Sequence, residues 1–379
     1  MKWLGDKLKA VLGDAGMTQG ALAEQLGVSR QTVIDWINGQ VPKGSHLVAM
    51  SRLLDLDVEI LFAEDEEDRR RVIVPVHRKR RNAKITAEVR DASRELALEY
   101  EGLLTSQAMP VLAPVLRPGG DLGREPVSPM QLARELRTLG GLDDETRPAD
   151  YAHVVRIIEK LGICLVVRTF PANIKSYAFY TLINGQRAVF VNSGTNLLDL
   201  IFPLLHEAVH AIRGIPAPGA EYSDEEEVLC DRVAGLVQFP DGYVDLVAST
   251  VRGLPPAQQV VRLKAFAEAH HHCCYGVVRR IQEKHGALAG LNVHGADGKL
   301  RKAFPTIGAV ILPPGVSEEQ YLQNLGEFSP LFLRAVQANF EHLTTSLLGN
   351  CLDMGVIDAK QVRNALLARR EGAARACSV

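Results

Sequence analysis

Ile201-Phe202-Pro203-Leu204-Leu205-His206-Glu207-Ala208-Val209-His210 gives the larger part of this chain its character. Its apolar residues, continued by Ala211 and Ile212, predict a largely buried helix over residues 196–212, ended by Gly214. Residues four apart share one helix face, so His206 and His210 can point two imidazoles at one ion. Glu207 stands beside the first of them, where a carboxylate can take a proton from a water and hand it on. A hydrolytic Zn2+ site needs protein ligands on one side and an open position on the other. The third ligand should come from a separate helix, and the next predicted helix, residues 224–239, opens on Glu225, Glu226 and Glu227. A buried His-Glu-His set without a metal would be costly to desolvate, which argues against two surface histidines on a solvated helix. Pro203 lacks a backbone donor and is expected to kink this helix one turn before the ligands.

Working outward, Ile163-Cys164-Leu165-Val166-Val167 reads as a short strand. Residues 177–183 and 187–192 flank Asn184-Gly185, a strong hairpin signal. Amphipathic helices are expected at 130–139 and 149–161, and a long one at 86–107. The intervening residues 110–129, rich in Pro and Gly, read as loop. Residues 255–285 and most of the last hundred read as helical, with a C-terminal helix near 359–370.

Residues 1–62 predict a compact helical unit. Leu4, Leu8, Val11 and Leu12 recur at helical spacing before Gly16. Thr18 caps a helix over 19–26, Gly27 suits a tight turn, and Ser29 caps a helix running to about Asn38. Further helices are expected at 45–54 and 58–62. Leu22, Ala23, Leu26, Val28, Val33 and Trp36 would form the small core. Ser29, Arg30, Gln31, Thr32 and Asp35 would stay on the exposed face of the third helix, suited to base edges in a major groove, and Gln19 to a phosphate.

The chain has 379 residues, 46% hydrophobic and 23% charged, with a formal net charge of −2. Such a balance gives no global electrostatic case for nucleic acid, so any such case is local. No uninterrupted apolar run is long enough for a membrane span, and Met1-Lys2-Trp3-Leu4-Gly5-Asp6 does not open a signal peptide. The six cysteines are therefore read as reduced, in a cytoplasmic protein.

Two resemblances sharpen this reading. Gly16-Met17-Thr18-Gln19 through Asn38-Gly39 resembles the XRE (Cro/repressor-like) helix-turn-helix family. Ala188-Val189-Phe190-Val191-Asn192, followed by residues 201–210, resembles the ImmA/IrrE family of zinc peptidases, over roughly residues 85–285. That likeness implies that Glu227, opening Glu227-Val228-Leu229-Cys230-Asp231-Arg232-Val233-Ala234, is the third ligand beside His206 and His210, with Glu207 catalytic. Cys230, Asp231 and Val233 stand where the family commonly has Ala, Asn and Phe; Pro203 and Val209 stand for its commoner Thr and Gly.

The expected organisation is multidomain: an all-α helix-turn-helix domain at 1–64, a charged linker at 65–84, an α+β zincin-like peptidase domain at 85–288, and a mostly helical region of its own at 289–379. The expected function is a DNA-binding regulator with zinc-dependent endopeptidase activity, cutting a repressor or other regulatory protein in a stress or mobile-element response. Its expected partners are duplex DNA, a protein substrate and a second copy in a homodimer. The rival reading is a repressor or antitoxin whose peptidase-like domain senses or scaffolds without cleavage. His270-His271-His272-Cys273-Cys274 is rich in ligand types, but adjacent helical residues point in different directions, so a helix face is favoured over a second metal site. The run Arg78-Lys79-Arg80-Arg81 reads as solvated linker, with phosphate tracking as the alternative.

Overall fold

The computed structural model describes residues 2–3, 5–54, 61–63, 72–73, 87–104, 128–213 and 224–376. They fall into two compact units, residues 1–71 and 72–379.

The first unit runs β1 (Lys2–Trp3), α1 (Gly5–Asp14), α2 (Gln19–Leu26), α3 (Arg30–Ile37), α4 (Gly44–Leu54) and β2 (Phe62–Ala63). Thr18 and Ser29 accept from the backbone N–H groups of Ala21 and Thr32, satisfying donors that each helix start leaves open. Gly27 takes φ 65° between α2 and α3, a conformation in which a Cβ is penalised. Trp3, Leu8, Leu22, Val33, Trp36 and Met50 close the core. The helix expected at 58–62 is corrected: Phe62 lies in β2, paired antiparallel with Trp3 of β1. So short an apolar run cannot offset the cost of nucleating a helix, whereas a strand gains a partner at once. Residues 58–60 lie outside the described residues.

The second unit begins with β3 (Val72–Ile73), α5 (Ala87–Leu98), α6 (Pro129–Gly140), α7 (Tyr151–Lys160), β4 (Ile163–Arg168), β5 (Ala178–Ile183) and β6 (Gln186–Asn192). The sheet order is β3-β5-β6-β4, with β4 parallel to β6 and the other pairs antiparallel. Asn184 and Gly185 join β5 to β6 with φ 51° and 77°, the two positive values that a tight hairpin turn requires. The expected linker is corrected in part: Val72 and Ile73 pair with Ile183 and Leu182 and so belong to the sheet. The rest of that segment, including the Arg78–Arg81 run, lies outside the described residues, as do 105–127. The helix expected at 86–107 is shorter, because turns follow Leu98 and bury Tyr100, whose hydroxyl donates to the Cys351 carbonyl at 3.1 Å.

Two helices then carry the candidate site, α8 (Leu197–Arg213) and α9 (Asp224–Gln238). Helix α8 runs through Pro203 uninterrupted. Nine more helices follow among the described residues: α10 (Asp241–Val251), α11 (Pro256–His270), α12 (Cys274–His285), α13 (His294–Ala303), α14 (Ile307–Ile311), α15 (Glu318–Phe328), α16 (Pro330–Asn339), α17 (Thr345–Leu352) and α18 (Val356–Ala376).

The described residues of this unit build two apolar cores. One joins Leu198 and Phe239 to α10–α13 through Tyr243, Leu263, Val277 and Leu300. The other surrounds the sheet: Phe190 stacks on Phe179 and meets the Tyr100 ring, which in turn meets Phe332 of α16, and Leu325, Val336 and Phe340 of α15, α16 and the turn after it belong to the same core. The Ser329 hydroxyl donates to the Leu165 carbonyl at 2.5 Å. Residues 289–379 therefore do not form the separate region expected of them. Their apolar faces complete cores begun by residues far upstream.

Candidate metal centre and DNA-reading helix

Helix α8 is buried on almost every side, because its apolar stripe continues around the cylinder. His206, Glu207 and His210 are 1%, 1% and 2% exposed. The one-turn spacing brings His206 Nε2 and His210 Nε2 within 3.0 Å of each other. Glu227, in the first turn of α9, reaches both: one carboxylate oxygen lies 3.4 Å from His206 Nε2 and the other 3.3 Å from His210 Nε2. For ligands at about 2.0–2.1 Å from a tetrahedral zinc ion, donor atoms stand roughly 3.3 Å apart. The donor set and its triangle fit such an ion.

The acidic run is sorted by its neighbours. Arg213 donates from Nε and Nη2 to the two carboxylate oxygens of Glu226, at 2.7 and 2.8 Å. Glu227 is left facing the imidazoles. Burial opposes ionisation of its carboxyl, but hydrogen bonding and charge from His206 and His210 prevail and hold it well below the usual carboxylate range.

Two residues of α9 that sequence reasoning treated only as departures from a pattern stand behind the imidazoles. His206 Nδ1 donates to Asp231 Oδ1 at 3.0 Å, which leaves the Nε2 lone pair facing the centre. Cys230 Sγ lies 3.5 Å from His210 Nδ1 and is fully buried. Burial pushes its thiol well up, helped by Glu226, Glu227 and Glu207. The spacing was a usable signal: Cys230 and Asp231 follow Glu227 by three and four residues, so they share its helix face. Tyr180 of β5 was also missed. Burial is the main cause that raises its phenol to about 12; Arg187 counteracts this, and the Glu207 charge adds to it.

Among the described residues, two groups of side chains could hold a metal: His206, His210 and Glu227, and a second set of His210, Glu226 and Cys230 that shares one histidine. The His270–Cys274 cluster supplies neither. His270 ends α11, His271 caps it at φ 54°, and His272 turns into the core. There the Tyr243 hydroxyl donates to His272 Nε2 at 2.6 Å, and His272 Nδ1 donates to the Cys273 carbonyl at 3.0 Å.

In the first unit, Ser29, Arg30 and Gln31 are exposed at the start of α3, whereas Gln19, Thr32 and Asp35 are half-buried. Ser29 is engaged as the cap, its hydroxyl 2.9 Å from that of Thr32. Gln31 Nε2 donates to Asp35 Oδ1 at 3.0 Å, so the two side chains hold each other on one face.

A family model described as Helix-turn-helix matches residues 8–61. No curated protein matches the chain, and no solved structure does. The first unit thus carries a helix-turn-helix of the XRE type, a DNA-binding module of transcription regulators. Among the described residues no helix is long and apolar enough to cross a membrane.

Proposed function

We propose that this chain is a DNA-binding regulator whose second unit is a zinc-dependent endopeptidase of the ImmA/IrrE type, cutting a regulatory protein such as a repressor. The observation that carries the reading is the triangle of His206 Nε2, His210 Nε2 and the Glu227 carboxylate, with its fit to tetrahedral zinc. Zinc bound there would supply the Lewis acidity that polarises a peptide carbonyl and activates water. His206, His210 and Glu227 would hold it. Asp231 keeps His206 in the tautomer that presents Nε2. Glu207, buried in the same helix turn, would accept a proton from the attacking water and return it to the leaving amine. Tyr180 stays protonated at neutral pH and so keeps a donor near Glu207. The helix-turn-helix would bring this activity to DNA, with a homodimer on a two-fold site as the expected assembly.

The test compares wild type with Glu207→Gln. Metal analysis should find about one zinc per chain in both proteins. Quantitative proteomics of cells under DNA damage should show a protein fragmented only with wild type. Zinc retained with an identical set of fragments in both strains would overturn the peptidase reading and favour a sensor or scaffold. Absence of zinc from freshly purified wild type would overturn the metal assignment.

A further inference from the structure

Val33 and Trp36 fix the inner face of α3, both buried in the core of the first unit. At about 100° per residue, Gln31 falls opposite that pair, and Asp35, four residues on, shares its face. Gln31 Nε2 donates to Asp35 Oδ1 at 3.0 Å, so the two side chains act as one unit. Gln31 keeps its carbonyl oxygen and one N–H; Asp35 keeps its second carboxylate oxygen. Arg30 is the one cation of α3, and it makes no ion pair with Asp35 among the described residues.

A carboxylate turned towards a polyanion loses affinity unless a donor meets it. In a major groove only two base groups donate, the N4 amine of cytosine and the N6 amine of adenine. Guanine shows N7 and O6, and thymine shows O4, all of them acceptors. An ionised carboxylate only accepts, so it is repelled by both bases. Adenine sets its N7 acceptor beside the amine, and cytosine does not, so cytosine is the better match for Asp35. Gln31, with one donor and one acceptor left, matches N7 and N6 of adenine.

We propose that Asp35 sets the base preference of α3: it requires a cytosine amine and excludes guanine and thymine, while Gln31 reads an adenine nearby. Residues four apart on a helix stand about 5–6 Å apart, which places the two bases about one or two base pairs from each other. The assignment rests on α3 entering a major groove, and it names the bases met there.

The test is selection of duplexes from a randomised pool by the full-length chain, as wild type, Asp35→Asn and Asp35→Ala. Wild type should return a C·G pair and an A·T pair about one or two steps apart. Asp35→Ala should lose discrimination at the C·G position by roughly five- to hundredfold, read as the ratio of Kd values against a duplex with T·A there. Asp35→Asn, whose amide both accepts and donates, keeps its bond to Gln31 and should shift that position towards adenine. Asp35 is half-buried and outside the core of the unit, so circular dichroism should show both variants folded. The same preferred base at every position in all three folded proteins would overturn the proposal. No duplex retained by folded wild type would overturn the DNA-binding reading itself, and the proposal with it.

Discussion

His272 shows how burial sets the chemistry of one residue. It is fully enclosed, its ring held neutral between the Tyr243 hydroxyl and the Cys273 carbonyl. Burial pushes its pKa down from 6.5 to about 4, with His270 and His271 adding repulsion and the Cys273 carbonyl opposing. In the unfolded chain it takes a proton near pH 6.5; in the folded chain it resists until about pH 4. Its contribution is therefore whole above about 6.5 and lost as pH falls towards 4, where the unfolded state binds more protons. Over that window one such group changes stability by about 1.4 kcal/mol per pH unit. Urea unfolding at pH 7, 6 and 5 should show this slope in wild type and a flatter one in His272→Gln, whose amide can make both hydrogen bonds without titrating. Equal slopes would mean that another group dominates acid sensitivity. The sequence showed five ligand-type residues in a row and read them as one helix face, whereas one helix ends at His270 and the next begins at Cys274. That His272 turns inwards was not legible, because Tyr243 lies 29 residues away.

Among the elements, α2, α3 and α4 were read almost to the residue, because capping residues and turn glycines act over three or four positions. Helix α3 makes a specific prediction. Gln31 is exposed in its first turn and held by Asp35, which orients it before any base arrives. On duplexes selected from a randomised pool, Gln31→Ala should lose about 1–3 kcal/mol of preference at one base pair. Binding to unrelated duplex and its dependence on salt should not change, since those rest on phosphate contacts. Unaltered discrimination in gel shifts would remove Gln31 from the readers. Helices α8 and α9 divide differently. The pairing of His206 with His210 is a matter of helical period. The choice of Glu227 came from a resemblance, and its structural counterpart is that Arg213 engages Glu226. The roles of Cys230 and Asp231 required the crossing of two helices, which periodicity alone does not specify.

For the molecule as a whole, the C-terminal helices complete the sheet's core, and this can be tested by truncation. A chain ended after residue 288 would uncover Tyr100 where Phe332 now packs, open the core that Phe179 and Phe190 share with Val336 and Phe340, and leave the Leu165 carbonyl without Ser329. Exposing several large apolar side chains costs about 1.5–3 kcal/mol each, which exceeds the margin of most domains. The truncated protein should lose the cooperative unfolding transition of the second unit in calorimetry, while the first unit, with its own closed core, unfolds as before. A truncated chain that kept both transitions would show that residues 289–379 are an independent region after all. The features legible along the chain are local: the helix-turn-helix, the Asn184-Gly185 hairpin, and a buried helix with two imidazoles on one face. Each depends on residues within a few positions of one another, where backbone sterics, caps and side-chain period leave few choices. It took long-range packing to bring Val72 and Ile73 into the sheet, to set α15 and α16 in its core, and to stand Asp231 behind His206. Those outcomes depend on which apolar faces meet, and chain segments tens to hundreds of residues apart are brought together by burial rather than by any pattern written along the chain.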